Sequence, residues 1–191
     1  MKLKPVLKKK TPARTPRSDH DRIQRVSPRA SGPRRLALKL QKILVPVDFS
    51  DFSTKALDYA LAFAEQFQAR IVLVHIVEPA VYPENYMLVP PALDDMNRDL
   101  LKAGRTRLEN LGRDQIGDRV AAESVVRLGR PHFEICEIAQ SMDVDLIIIA
   151  THGYTGLKHV LLGSTAERVV RHAPCPVLTL RESEHEFLQP R

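Results

Sequence analysis

The residue types best suited to chemistry in this chain are glycines and hydroxyl side chains that follow an apolar run. Residues 146–150 are continuously apolar, and 151–156 then reads Thr-His-Gly-Tyr-Thr-Gly. Further on, Gly163-Ser164-Thr165 opens a segment with helical spacing. Backbone N–H groups at glycine-rich loops and helix starts bind anions, and hydroxyl groups are further donors. The pattern predicts an anion site of the kind that receives a phosphate.

Asp48 is a second candidate because it follows the apolar run 43–47. Its carboxylate can accept hydrogen bonds from ribose hydroxyls, or it can cap the helix that follows. The binding role is favoured, because Asp48 would end the first strand at the point where ligands reach an open α/β sheet.

These residues need a scaffold, and the apolar spacing predicts one. Strand-like runs at 43–48, 71–77, 120–128, 146–150 and 177–180 alternate with four segments of helical periodicity. The alternation predicts an α/β fold, a five-stranded parallel sheet of order 3-2-1-4-5 with helices on both faces. Reversal of the winding between the first and fourth strands would bring Asp48 close to 151–153. The helical spacing also predicts apolar contacts for Met96, Leu100, Phe133 and Val170.

Several residues near the predicted site could serve either ligand binding or the fold itself. His152 either donates to a phosphate or bonds the loop backbone, and the sequence does not separate these alternatives. Gly153 can adopt a positive φ, which lets backbone N–H groups approach an anion. His75 lies within an apolar strand, which favours a structural role. Gly163 and Ser164 would start a helix whether or not a ligand binds.

The net charge of +6 combines two different regions. Residues 1–40 contain thirteen Lys or Arg and two acidic residues, a charge of +11, so the other 151 residues carry −5. The region is rich in proline and poor in apolar residues, which predicts a disordered basic N-terminal tail. Its partner could be nucleic acid or an anionic surface, although a solvated tail without a partner is the favoured interpretation.

Other features indicate the compartment. No run of eighteen apolar residues occurs, so no transmembrane segment is expected. Cys136 and Cys175 are far apart in sequence and form no metal-ligand pair, which fits a reducing, cytoplasmic location.

The sequence resembles the universal stress protein family, in its single-domain UspA type. The resemblance rests on Lys-Ile-Leu-Val-Pro-Val-Asp-Phe-Ser at 42–50, Val-Leu-Val-His-Ile at 72–76, the loop 151–156, Gly163-Ser164-Thr165 and Pro-Cys-Pro-Val-Leu at 174–178. It implies a universal stress protein domain at 41–182, followed by a C-terminal tail at 183–191. It also implies a Rossmann-like fold of the adenine nucleotide alpha hydrolase type.

Nucleotide-binding members of this family carry Gly-x-x-Gly, nine residues, then Gly-Ser or Gly-Thr. Here Gly153, nine residues and Gly163-Ser164 match, whereas Ala150 replaces the first glycine. The resemblance implies ATP as the ligand, alone or with a divalent cation. Pro46, Asp48 and Ile76 would hold the ribose and adenine. The phosphates would lie against Ala150, His152, Gly153, Gly163, Ser164 and Thr165.

The predicted function is that of a stress-response protein gated by ATP, acting on a regulatory protein partner that the sequence does not identify. The alternative is a family member that binds no nucleotide and works through protein–protein contacts, which Ala150 favours. No nucleophile–base pair supports a dedicated enzyme, and weak ATP hydrolysis would use Asp48 or His152 to orient a water. The resemblance also implies a homodimer through the last strand, Val177–Leu180.

Overall fold

A five-stranded parallel sheet forms the centre of the computed structural model, which describes residues 37–79, 92–151, 163–181 and 188. All of these except Ala37 belong to one unit, Leu38–Arg191. The elements in chain order are β1 (Lys42–Pro46), α1 (Asp51–Phe67), β2 (Arg70–Val77), α2 (Ala92–Leu111), a π-helical turn (Gly112–Ile116), β3 (Ala122–Leu128), α3 (Pro131–Ser141), β4 (Leu146–Ala150), α4 (Ser164–His172) and β5 (Val177–Leu180). No helix in the described part of the chain is both long and apolar enough to span a bilayer.

The strand order is β3-β2-β1-β4-β5, which confirms the predicted topology. β1 pairs in parallel with β2 on one side, in the register Ile43 with Ile71, and with β4 on the other, in the register Ile43 with Leu146. The chain therefore winds outward from β1 in both directions. The carboxyl ends of β1 and β4 lie side by side at the point of reversal, where ligands enter such sheets.

Helices cover both faces of the sheet, as predicted. Alternate residues of β1 divide between the two sides, with Ile43 and Val45 in a core beneath α1 and α2 and Leu44 in a core beneath α3 and α4. This division explains why the central strands are apolar at every position, since neither face is open to water.

The sequence gives wrong expectations at several helix and strand positions. β1 ends at Pro46 rather than at Asp48, whereas β3, Ala122–Leu128, lies within the predicted run 120–128. Val47 still donates to Val74 O at 2.7 Å, but the backbone turns away at Phe49, where φ is 64°. Side chains predicted to be packed are instead exposed, namely Met96, Leu100, Phe133 and Val170. Val170 is next to the buried Val169, and neighbours on a helix lie about 100° apart, so only one of them faces the core.

The π-helical turn Gly112–Ile116 is absent from the sequence prediction. It ends at Gly117, where φ is 55°, and it places Ile116 in the core with 1% of its surface exposed. Helical periodicity does not report such a change of winding, because one turn is too short to shift the apolar pattern.

Candidate functional site

A cavity of about 370 Å³ opens at the carboxyl ends of the central strands, beside the start of α4. Its wall contains Pro46, Asp48, Ile76, Ala150, Gly163, Ser164 and Thr165, which are seven of the nine residues predicted from the sequence. The other two, His152 and Gly153, lie outside the described residues. The chain thus gathers the described candidates from β1, β2, β4 and α4 at one place.

Asp48 organises the turn between β1 and α1. Its Oδ1 accepts from the Ser50 N–H at 3.0 Å and from Ser50 Oγ at 2.5 Å. Ser50 in turn caps α1, because its Oγ accepts from the Ser53 N–H at 3.2 Å. Asp48 is therefore not the cap itself but holds the capping residue, while its side chain remains exposed at the cavity wall.

Phe49, which follows Asp48, has a strained backbone. Its φ of 64° lies in the left-handed region. For a residue with a Cβ atom this conformation costs about 1–2 kcal/mol. Strain of this kind persists only where the surroundings impose it, and it is common at ligand sites. The sharp turn lets the chain leave β1 and start α1 while Asp48 stays at the cavity.

Gly163 and Thr151 are joined by a hydrogen bond at the edge of the cavity. The Gly163 N–H donates to Thr151 O at 2.7 Å, and the Thr151 N–H donates to Leu180 O at 2.8 Å. A Cβ atom on Gly163 would lie 2.8 Å from Thr151 O, closer than real contacts allow. Gly163 has an ordinary φ of −63°, so this close approach, and not backbone conformation, requires a glycine.

Sequence reasoning missed Thr151 as a structural anchor of the site. Its residue surface is 1% exposed. A polar residue directly after a buried strand was the available signal. Glu78, at the end of β2, is a second missed residue that lines the cavity. No spacing pattern links Glu78 to the other lining residues, because it comes from the neighbouring strand.

The start of α4 gives one wall of the cavity a positive character. Gly163 is the N-cap, and Ser164 and Thr165 lie in the first turn, where backbone N–H groups have no acceptor within the helix. Cationic side chains lie beyond this wall. They affect His132, whose pKa is lowered from its ordinary value of 6.5 first by partial burial and then by Arg168, His172 and Arg130. The Asp48 and Glu78 side of the cavity is acidic. The arrangement suits a ligand with hydroxyl donors at one end and an anion at the other.

Ala150, which stands where the nucleotide-binding motif has its first glycine, is partly buried at the end of β4. Its methyl group packs against the core beneath α1 and α2. The extra carbon is therefore accommodated by core packing, although the residue also borders the cavity.

Metal-binding and thiol chemistry find little support among the residues that the structure describes. No group of three or more His, Cys, Asp or Glu side chains there is arranged to hold a metal ion. Cys136 and Cys175 are half-buried thiols, and burial raises the pKa of each. A raised thiol pKa leaves less of the reactive thiolate at neutral pH.

A larger hollow, of about 680 Å³, lies at the opposite end of the sheet. It is bordered by the end of α1 and the starts of β2 and β3, with Gln41, Gln68, Arg70 and Arg119 among its lining residues. We assign the candidate site to the smaller cavity, because only there do strand carboxyl ends meet the start of a helix within the described part of the chain.

Comparison with known proteins gives one consistent result. The model of the universal stress protein family matches residues 39–181. Universal stress protein YxiE of Bacillus subtilis is 34% identical over 145 residues, which cover 73% of this chain and 98% of that protein. The solved structure of universal stress protein UspA from Lactobacillus plantarum is 30% identical, with a TM-score of 0.65, and the match covers 76% of this chain and all of that one.

A further solved structure shares the fold. It is a universal stress protein in complex with cAMP, 22% identical with a TM-score of 0.51, and the match covers 76% of this chain and 100% of that chain.

Proposed function

Because the chain belongs to the universal stress protein family, we propose that it binds ATP in the carboxyl-end cavity and acts as a nucleotide-gated regulator. The observation that carries this proposal is the shared cavity of Asp48 and the first turn of α4. Its volume of about 370 Å³ lies within the range of small-molecule sites, about 300–1,000 Å³.

The polarity of the cavity indicates how ATP would lie. The Asp48 carboxylate would accept from ribose hydroxyls, with Pro46 and Ile76 beside the adenine. The hydroxyls of Ser164 and Thr165 and the amides of the α4 start would face the phosphates. The fold-related cAMP complex is a case in which a protein of this architecture holds an adenine nucleotide. ATP hydrolysis is not part of the proposal.

The competing function is regulation through protein contacts without a nucleotide, and Ala150 is the residue that favours it. The packing of its methyl group against the core supports ATP binding instead. Equilibrium titration of a fluorescent ATP analogue into the wild-type protein and the Ala150→Gly variant separates the two functions. We expect both to bind, because the Ala150 methyl group packs against the core. The two affinities should lie within about threefold, which corresponds to less than about 1 kcal/mol.

The two negative results of this titration have different meanings. Binding by Ala150→Gly alone would show that the native protein is a non-nucleotide member whose cavity is blocked by one methyl group. Absence of binding in both proteins would overturn the proposed function. Mass spectrometry of the freshly purified, denatured protein provides an independent check, because a tightly held nucleotide would be released.

We also propose that the protein forms a homodimer through β5. This strand is at the sheet edge and pairs with β4. Pro176 O accepts from the Ile147 N–H, and Leu180 O accepts from the Thr151 N–H, so the even-numbered residues in and next to β5 direct their backbone groups toward β4. Backbone alternation then directs the N–H and C=O groups of Val177 and Thr179 outward, toward a second copy.

The alternating direction of the β5 backbone groups suggests a test of the dimer. Thr179→Pro removes an outward N–H donor while leaving the bonds to β4 in place, whereas Thr179→Val keeps the donor and the strand propensity. We expect the wild type and Thr179→Val to sediment as dimers at micromolar concentration and Thr179→Pro to sediment as a monomer with similar helix content. A dimer that persists in Thr179→Pro would assign the interface to another surface.

A further inference from the structure

The residues on either side of Asp48 are held by one side chain, His75 of β2. Its Nδ1 lies 2.8 Å from Val47 O, and because a carbonyl oxygen only accepts, Nδ1 carries the proton and donates. The same imidazole contacts the Phe49 ring, with centroids 4.6 Å apart and planes inclined by 51°. His75 therefore holds Val47, which precedes Asp48, by a hydrogen bond to the Val47 carbonyl, and it holds Phe49, which follows Asp48, by a ring contact.

Arg107 of α2 adds a second contact to Phe49. Its guanidinium carbon lies 4.0 Å from the centre of the Phe49 ring, within the range of a cation–π interaction. Arg107 is not among the residues that line the cavity. It contacts the Asp48 turn at Phe49, the residue that follows Asp48.

Helix α2 approaches this pair of rings closely because residue 104 is a glycine. A Cβ atom on Gly104 would lie 2.9 Å from His75 Cδ2. Gly104 is one turn before Arg107, so the same side of α2 touches His75 and reaches over Phe49. A movement of α2 therefore acts on both residues that adjoin Asp48.

The conformation of Phe49 makes these contacts consequential. With φ at 64°, the residue keeps its left-handed backbone only while the surrounding contacts hold it there. Relaxation of Phe49 would rotate the peptide that follows Asp48. It would then disturb the bonds from the Ser50 N–H and Oγ to Asp48 Oδ1.

We propose that Arg107 is a positioning residue, which holds the Phe49 ring and so keeps the Asp48 carboxylate in place at the cavity wall. Helix α2 is then a coupling element, because a partner that displaces it changes the geometry of Asp48. The predicted effect on ATP affinity rests on the proposed function. The effect on the Asp48–Ser50 turn is independent of the proposed function, because it is expected in the protein without a ligand.

The first test measures the turn in the ligand-free protein. Amide exchange at Ser50 and Ser53, followed by NMR, reports opening of the bonds to Asp48 Oδ1 and Ser50 Oγ. We expect Arg107→Ala to accelerate exchange about two- to fivefold, which corresponds to the loss of an exposed cation–π contact. Arg107→Lys retains the cation and should recover most of the protection. Arg105→Ala removes an equal charge from the same helix and should leave both rates unchanged.

A double-mutant cycle tests whether Arg107 acts through the ring. Phe49→Leu keeps an apolar side chain but removes the aromatic face. In that background Arg107→Ala should have no further effect on exchange, so the two substitutions are non-additive. Equal acceleration in both backgrounds, or unchanged exchange in Arg107→Ala, would overturn the proposal.

Titration with the ATP analogue then distinguishes this proposal from the proposed function. If the wild type binds, Arg107→Ala should weaken affinity about two- to fivefold and Arg107→Lys should restore it. An Arg107→Ala protein with an open turn but unchanged affinity would refute the coupling to the ligand. If the wild type binds no ATP, the proposed function fails, and the exchange rates still decide whether Arg107 positions Asp48.

Discussion

The two ends of the sheet carry hollows that differ in chemistry, although β2 contributes residues to both. At the carboxyl ends, β1 and β4 lead into Asp48 and Thr151, and α4 begins beside them. At the amino ends the hollow is larger, about 680 Å³ against about 370 Å³, and it is bordered by the last residues of α1. Helix starts present N–H groups and helix ends present carbonyl groups. The start of α4 therefore favours an anion at the carboxyl-end cavity, although the hollow at the amino ends is larger.

The ends also differ in how the backbone is constrained. The carboxyl end contains the left-handed Phe49 and the contact between Gly163 and Thr151 O. The amino end has the left-handed Gln68, which follows α1, and a pair formed by Glu65 and Arg119 at 3.9 Å. Strain at Phe49 adjoins a carboxylate at a cavity wall, whereas the turn at Gln68 ends a helix in an ordinary way. Matched substitutions at the two ends test whether this difference is functional.

The largest expected effect comes from adding one methyl group at the carboxyl end. In Gly163→Ala the new Cβ would meet Thr151 O at 2.8 Å, and the backbone must move. We expect a loss of about 1–3 kcal/mol in the free energy of unfolding and at least about tenfold weaker ATP binding, because the start of α4 shifts.

Gly112→Ala is the matched control for that substitution. Its Cβ would lie 3.3 Å from Leu73 Cδ1, which is the end of a flexible side chain. Gly112 begins the π-helical turn, and replacing a helical glycine by alanine gains about 0.5–1 kcal/mol. The unfolding free energy should change little and ATP affinity not at all. Equal losses in both variants, measured by urea unfolding and analogue titration, would mean that the close approach of Gly163 to Thr151 O has no special role in binding.

Removing a charge without changing shape is expected to affect ligand binding but not stability, which makes it the second-largest effect. Asp48→Asn keeps an oxygen that accepts from Ser50, so the fold should be unaffected, but a charged acceptor for ribose hydroxyls is lost. Hydrogen bonds to charged groups contribute about 1.5–3 kcal/mol, so ATP affinity should fall about tenfold or more.

Glu65→Gln is the corresponding change at the amino end. It weakens a partly exposed pair with Arg119, and surface pairs contribute about 0–1 kcal/mol. Because Glu65 does not line the carboxyl-end cavity, ATP affinity should be unchanged. Isothermal titration of both variants makes the comparison. Weaker binding in Glu65→Gln than in Asp48→Asn would place the nucleotide in the amino-end hollow.

The same comparison shows what the sequence could predict. The strand order followed from the alternation of apolar runs and helical spacing, since parallel strands with helical crossovers allow few arrangements. The convergence of Asp48 with Gly163, Ser164 and Thr165 followed from that order. These inferences depend on long periodic patterns, which a single residue cannot reverse.

Features that depend on one contact were not predictable. The bonds of Thr151 to Gly163 and Leu180 join residues from three segments. The left-handed Phe49 is held by His75 and Arg107 from other elements, and no local pattern marks it. The exposed Phe133 likewise depends on which side of α3 meets the core. Periodicity identifies an apolar face, but tertiary packing decides how much of that face is covered.

The smallest expected effect is a difference in pH dependence between the two ends. Near the carboxyl-end cavity, His132 has its pKa lowered below 6.5, first by partial burial and then by Arg168, His172 and Arg130. The unfolded chain then binds more protons than the folded one just below pH 6.5. Stability from this residue is present above that pH and is lost as the pH falls. His132→Gln should therefore reduce the pH dependence of the urea midpoint just below pH 6.5.

Asp58 of α1, which interacts with Arg119 of the amino-end hollow, should show the opposite sign. Burial raises its pKa above 3.8, and the attraction of Arg119 lowers it in part. The folded state keeps this proton longer, so its contribution to stability falls as the pH rises from 3.8. Asp58→Asn should therefore stabilise the protein at neutral pH, lose that advantage in acid, and leave the slope near pH 6 unchanged. The contrary result is a slope of unfolding free energy against pH, near pH 6, that persists in His132→Gln and disappears in Asp58→Asn. It would show that His132 and the cationic side chains near it do not cause the pH dependence.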